Sequence, residues 1–214
     1  MTAPERATPV DSPGSPRPRG REAVTAAILE AARVLIAERG PASVSLRDIA
    51  HEAKVNLGLV YKYVGTKEQL ITEVTRRAAA SAAERLREVE HLGDALALLV
   101  TIGDGKIGRV LAWAALEGRV PTEQFGPSPA LAVLSDLYLR DATSAGIDAS
   151  DEDARLLAAM AMTAVLGWRV LGAYALTSAG LDPNEGERYD ARIRSLAQTL
   201  GNLAVTRLTT AGDS

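Results

Sequence analysis

"SVSLRDIAHEAKVNLGLVYKYVGTKEQL" runs from Ser43 to Leu70. Ser45 has the chemistry of a helix N-cap, and Asp48 three residues later completes part of a capping box. Leu46, Ile49, Ala50 and Ala53 recur at helical spacing and define the inward face of a short helix. A break follows at Lys54-Val55-Asn56. Asn56 is placed to cap the next helix, Leu57 to Val64. Gly65 ends that helix, and Thr66 caps another that opens at Lys67. Upstream, residues 21–39 carry Ile28, Leu29, Ala32, Leu35 and Ile36 as one buried stripe, ended by Gly40-Pro41. Three short helices therefore precede a long one, and a tight turn joins the second to the third. That is the helix-turn-helix plan.

The rest of the chain reads as helix throughout. The fourth helix continues over 67–89, and further helices are predicted at 92–103, 106–118, 128–145, 150–179 and 186–209. Loops fall at "GRVPTEQFGPSP" (118–129) and "AGLDPNEG" (179–186). No strand-like alternation and no internal repeat occurs. The apolar 47% is supplied mostly by Ala, Leu and Val, with few aromatics, which favours helices over strands. The fold expected is all-α. Residues 1–20 hold five prolines and no apolar periodicity and read as a disordered tail. Arg17, Arg19 and Arg21 cluster at its end, either solvated or forming a basic arm. The head spans 21–66, a larger helical body 67–209, and a disordered C-terminus 210–214.

The 214 residues contain no cysteine, which removes disulfides, thiolate nucleophiles and cysteine metal sites and suits a reducing cytoplasm. The N-terminus lacks the apolar segment of a signal peptide. Residues 1–70 carry ten Lys/Arg against eight Asp/Glu, and residues 71–214 fourteen against nineteen. A mildly basic front sits on an acidic body. The two histidines, His51 and His91, stand in no nucleophile motif, and no phosphate loop or metal-ligand spacing appears. No enzyme activity and no cofactor are expected.

The 43–70 stretch resembles the DNA-binding signature of TetR-family transcriptional repressors. The resemblance is carried by Leu46-x-x-Ile49-Ala50, by Val55-x-x-Gly58-x-Val60-Tyr61-x-Tyr63, and by Thr66-Lys67-Glu68-x-Leu70. It covers about the first third of the chain closely. Beyond that, only length and helical content match. Three departures stand out, one of them Val64 where an aromatic often ends the third helix. The turn usually holds Gly where this chain has Lys54, which costs on the order of 1 kcal/mol if that residue needs a positive φ. Leu57 and Leu59 replace residues that are more often polar.

A recognition helix packs one side on its own domain and presses the other into the major groove. Val55, Val60 and Val64 have the spacing for the packed side. Leu57, Gly58, Leu59, Tyr61 and Lys62 are left for DNA. Gly58 permits close approach to base edges, and the leucines can meet a thymine methyl. Lys62 can reach a phosphate or a guanine edge. For Tyr61 and Tyr63 the resemblance implies phosphate contacts, although Tyr63 can equally be a half-buried core residue. Arg47 matches a position that can read guanine. Lys54, Asn56 and Thr66 flank the same face. Ser45 is placed like a phosphate clamp, and Lys67, with the amides opening the fourth helix, is expected to hold one phosphate.

The body is expected to dimerise and to sense. "ARLLAAMAMTAVLGWRVLGAYALTSAG" (154–180) is its most apolar segment, and Arg169 in mid-segment argues against a membrane span. Leu157, Ala161, Ala164, Trp168, Leu171 and Ala175 form one stripe, and Ile193, Leu196, Leu200 and Leu203 another. The resemblance implies that these two helices pair with their symmetry mates. Trp113, Tyr138, Met160, Trp168 and Tyr174 are candidate walls of a ligand pocket, with Arg109, Glu117 and Thr101 as polar anchors. The functional expectation is a dimeric repressor released from a palindromic double-stranded DNA operator by a small apolar or amphipathic effector. A regulator controlled by a protein partner, or an activator, remains compatible with the same residues.

Overall fold

The computed structural model describes residues 18–101, 105–117 and 126–207, without side chains for 186, 187 and 204–207. Most of the tail predicted at 1–20, most of the 118–129 loop and the C-terminus expected at 210–214 lie outside the described residues. Those residues form helices and no strand: α1 Arg21–Arg39, α2 Leu46–Glu52, α3 Leu57–Tyr63, α4 Lys67–Leu86, α5 Leu92–Thr101, α6 Lys106–Leu116, α7 Pro129–Ser144, α8 Asp151–Ser178 and α9 Gly186–Arg207. A 3-10 turn, Pro183–Glu185, precedes α9.

The capping residues expected from sequence are in place. Ser45 and Asp48 form a complete capping box on α2, and Thr66 and Gln69 form another on α4. The Asn56 side chain accepts from the Gly58 amide at 2.8 Å and starts α3. Ser150 likewise caps α8 through the Asp153 amide.

Two cores result. The head core contains Ile28, Ile36, Ile49, Val60, Leu70 and Ile71, all fully buried. Burying each is worth roughly 1.5–3 kcal/mol. It also contains Val110 and Ala114 of α6, both at 0% exposure. The expected head boundary at residue 66 is therefore no break in packing, because α4 and α6 both supply walls to the head. The body core holds Leu86, Leu92, Leu134, Leu137 and Tyr138. There α5 and α9 approach until a Cβ added at Gly201 would lie 2.7 Å from the Gly93 Cα. Only glycine fits such a contact. Gln198 adds a 2.6 Å bond to Asp94 across the same helices.

The long helix α8 is apolar enough to span a bilayer by length and composition. Arg169 has a local task that explains its position. Its guanidinium donates to the Val100 carbonyl in the last turn of α5, where helix carbonyls lack intrahelical partners. Only Ala154, Ala158 and Gly172 of α8 are buried within the protomer.

The stripe expected on α8 is out of phase with the structure. Leu157 turns inward and packs on the body core, while Ala161 and Trp168 are half-buried. The Trp168 ring lies across Gly172 of its own helix. Ala164, Leu171 and Ala175 are exposed as expected for an outer face. They share it with Leu156, Met160 and Tyr174, the last two each 74% exposed. On α9, Leu196, Leu200 and Leu203 are exposed and Ile193 is half-buried.

Candidate nucleic-acid interface

The turn between α2 and α3 fixes how the reading helix is presented. The Lys54 amide donates to the His51 carbonyl and the Val55 amide to the Ala50 carbonyl, each at 3.0 Å. This closes α2 with Lys54 in the left-handed region, φ 55°. The positive φ anticipated for a lysine at a glycine position is thus present. Asn56 then starts α3 at once. A Cβ at Gly58 would sit 3.3 Å from the Asn56 Oδ1, so the small residue also leaves room for the cap.

On α3, Val60 is fully buried, and Tyr61, at 60% exposure, projects into solvent beside exposed Gly58 and Lys62. Leu57 and Leu59 depart from expectation. Both are half-buried and pack on the head core with Val55 and Val64. A seven-residue helix lying over α1 and α2 rests on more than one line of side chains, so these leucines serve as its underside. Tyr63 is half-buried too, its ring flanked by two cations: the Arg21 Cζ lies 5.8 Å and the Lys62 Nζ 5.6 Å from the ring centroid. That arrangement holds two positive charges at the C-terminal end of α3. Arg47, Lys54 and His51 are exposed on α2 and its turn.

Two expected phosphate clamps are engaged inside the protein. The Ser45 hydroxyl accepts from the Asp48 amide at 3.1 Å and donates to the Asp48 Oδ2 at 2.6 Å. The Asp48 carboxyl also accepts from the Ser45 amide at 2.8 Å, and the bonds it accepts from the Ser45 hydroxyl and then from that amide hold it below its ordinary range. The Ser45 side chain caps α2, and a phosphate beside it would also meet that carboxylate. The Lys67 ammonium is partly buried and donates to the Pro41 carbonyl at 2.7 Å. It ties α4 to the α1–α2 loop instead of standing clear of the surface. Thr66 is likewise committed to its capping box.

The residues expected to line an effector pocket do not converge. Tyr138 is sealed in the body core, where burial pushes its phenol pKa up. Met160 and Tyr174 stand on the open face of α8, and Arg109 is exposed. Trp113 and Glu117 lean on the head instead. The Trp113 ring lies against Gly40, and the Glu117 Oε1 accepts from the Ala42 amide at 3.2 Å. Together with Lys67 they grip all three residues of the Gly40-Pro41-Ala42 loop. No pattern in the sequence around Trp113 signals this contact, which depends on α6 crossing α1. The two clefts described are open and lie on the head. One, of about 540 Å³, runs between α1, the end of α3 and α4, and the other, of about 630 Å³, between the start of α1, α2 and α3. No cluster of His, Asp or Glu able to hold a metal occurs among the described residues.

Comparison with known proteins agrees with this architecture. The family described as "Bacterial regulatory proteins, tetR family" matches residues 28–74. The HTH-type transcriptional repressor Rv3405c of Mycobacterium tuberculosis is 39% identical over 170 residues, which is 79% of this chain and 85% of that protein. Among solved structures, Salmonella enterica GusR aligns with a TM-score of 0.60 at 22% identity, over 84% of this chain and 95% of that one. The transcriptional regulator FadR from Bacillus subtilis, solved in complex with stearoyl-CoA, aligns with a TM-score of 0.56 at 19% identity, over 80% and 96%. These two share the fold. With its capped helix-turn-helix, its all-helical body and a curated relative of this similarity, the chain belongs to the TetR family and is a helix-turn-helix transcriptional regulator, not an enzyme.

Proposed function

We propose that the protein is a cytoplasmic, dimeric repressor that binds a two-fold symmetric operator and is released from it by a small apolar or amphipathic effector. The observation that carries the dimer is the open face of α8 and α9. Leu156, Met160, Leu171 and Tyr174 on one helix and Leu196, Leu200 and Leu203 on the other are all exposed in the protomer. Apolar side chains left exposed at helical spacing on each of two helices are the kind of surface that pairing removes from water. A second copy of the same face supplies self-complementary cover, and it sets two reading heads at a fixed separation.

In each head, Tyr61, Lys62, Arg47 and Lys54 are the exposed groups offered to DNA. The charged pair around Tyr63 meets backbone phosphate. Ser45, Asn56, Thr66 and Lys67 act one step back, by holding the ends of α2, α3 and α4 in register. The effector acts by population shift. A ligand that binds better to a different head separation weakens operator binding by that difference in affinity and by no more.

The test begins with selection from random duplex DNA, followed by mass measurement of the complex. A two-fold symmetric winner, bound by two chains, supports the reading. A winner without symmetry, bound by one chain, refutes the dimer. Release of the selected duplex is then assayed with apolar and amphipathic probes, a long-chain acyl-CoA among them. Duplex affinity that no probe alters, in the purified and delipidated protein, removes the effector from the proposal.

A further inference from the structure

Lys54 is the one non-glycine residue with a positive φ among the described residues. Seven glycines occupy the other left-handed or related positions, so this chain otherwise meets that backbone demand with the residue that bears it without strain. An L-residue with a Cβ is disfavoured there. The side chain returns nothing to the fold. Among the described residues it makes no ion pair and no side-chain hydrogen bond, and it is exposed. Its surroundings are those of the DNA face. It follows α2, precedes the Asn56 cap of the reading helix by two residues, and shares a cleft with His51 and Pro18. Pro18 is where the chain arrives from its arginine-bearing N-terminal segment. Strain retained without internal compensation, at the entrance to a recognition helix, is the pattern of a position that serves a partner.

We propose that Lys54 is a phosphate contact of the operator backbone, held in a conformation that costs the free protein stability. The proposal rests on the reading of this head as a DNA reader and adds a specific trade: a turn glycine would fold better and bind worse.

The experiment compares the full-length wild type with Lys54→Gly and Lys54→Arg on the duplex selected by the wild type, over a series of salt concentrations. Each phosphate neutralised by a cation adds about 0.9 to the slope of log affinity against log salt. Lys54→Gly is expected to lower that slope by about one per head, and so by about two for a dimer, while Lys54→Arg keeps it. Arg140→Ala, an exposed cation on α7, is expected to leave it unchanged. Thermal unfolding of Lys54→Gly without DNA is expected at a midpoint about 1–4 °C higher, since lost strain outweighs the added freedom of the unfolded chain. An unchanged salt slope overturns the phosphate contact. An unchanged or lower midpoint overturns the trade against stability. A wild type that binds no duplex specifically overturns both this inference and the functional reading beneath it, and is told apart by the wild-type curve alone.

Discussion

Gly40→Ala tests how the body holds the reading head. Gly40 ends α1 with φ 77° and ψ 157°, a region that is essentially open to glycine alone. Placing alanine there costs about 1–3 kcal/mol in backbone energy. The new Cβ would also lie 3.2 and 3.3 Å from the Trp113 Cδ2 and Cε3. Overpacking of this kind costs about 1–3 kcal/mol in a closed core. Trp113 is partly exposed and can yield outward, so its share lies near the bottom of that range. Alanine stiffens the unfolded chain, which returns about 0.4–1 kcal/mol. The net loss expected is about 1–3 kcal/mol. In a chain of this size each kcal/mol moves the midpoint by about 2–4 °C, which sets a fall of about 2–12 °C. The assay is thermal unfolding by circular dichroism at fixed protein concentration, because a dimer's midpoint depends on concentration. Combining Gly40→Ala with Trp113→Ala gives a double-mutant cycle. Backbone dominance predicts weak coupling between the two. An unchanged midpoint for Gly40→Ala would refute the glycine-only conformation. A cycle in which Trp113→Ala restores most of the loss would place the cost in the ring contact instead.

Tyr61→Ala is expected to reduce operator affinity at least about tenfold, in line with loss of a hydrogen bond to a charged group, with helicity and mass unchanged; wild-type affinity would remove Tyr61 from the interface. Met160→Glu should yield a folded monomer by sedimentation, whereas Leu157→Glu, aimed at the body core, should lower the unfolding midpoint; a Met160→Glu dimer would contradict the phase assigned to α8. His91 lies 3.0 Å from Asp141, whose other oxygen accepts the Leu92 amide that opens α5. The Asp141 hydrogen bond, then its charge, raises the His91 pKa above its ordinary value. Because the folded pKa is the higher one, the pair's stabilisation is complete below the unfolded value of 6.5 and fades as pH climbs through the raised folded value. An NMR titration of Asp141→Asn should therefore show a lower His91 midpoint, and an unmoved midpoint would assign the shift to another neighbour.

The head was legible because its signals are local. Ser45 with Asp48, Asn56 with Gly58 and Thr66 with Gln69 each act within three residues, and the structure uses all of them. Lys54 at a glycine position announced its own backbone geometry. The roles of Leu57, Leu59 and Lys67 were less legible, since partial burial and the bond to Pro41 depend on elements distant in sequence. On α8 almost every position is apolar, so periodicity could establish a helix but not its rotation. The stripe that reads Leu157 and the stripe that reads Met160 fit the sequence equally well. Only packing against α5, α6 and α7 selects between them. The effector residues were the least legible, because large apolar side chains mark core, interface and cavity alike.

The sharing of α6 has a consequence for how the protein is made. Val110 and Ala114 complete the head core, so a nascent chain released as far as Leu70 has every residue proposed on α2 and α3 to meet DNA but lacks part of the wall against which α1 packs. The head core is expected to close only after synthesis has passed residue 114. A message truncated within the first half of the gene should therefore yield no stray half-repressor to occupy operators, and transplanting the first 66 residues onto another body should fail unless α6 travels with them.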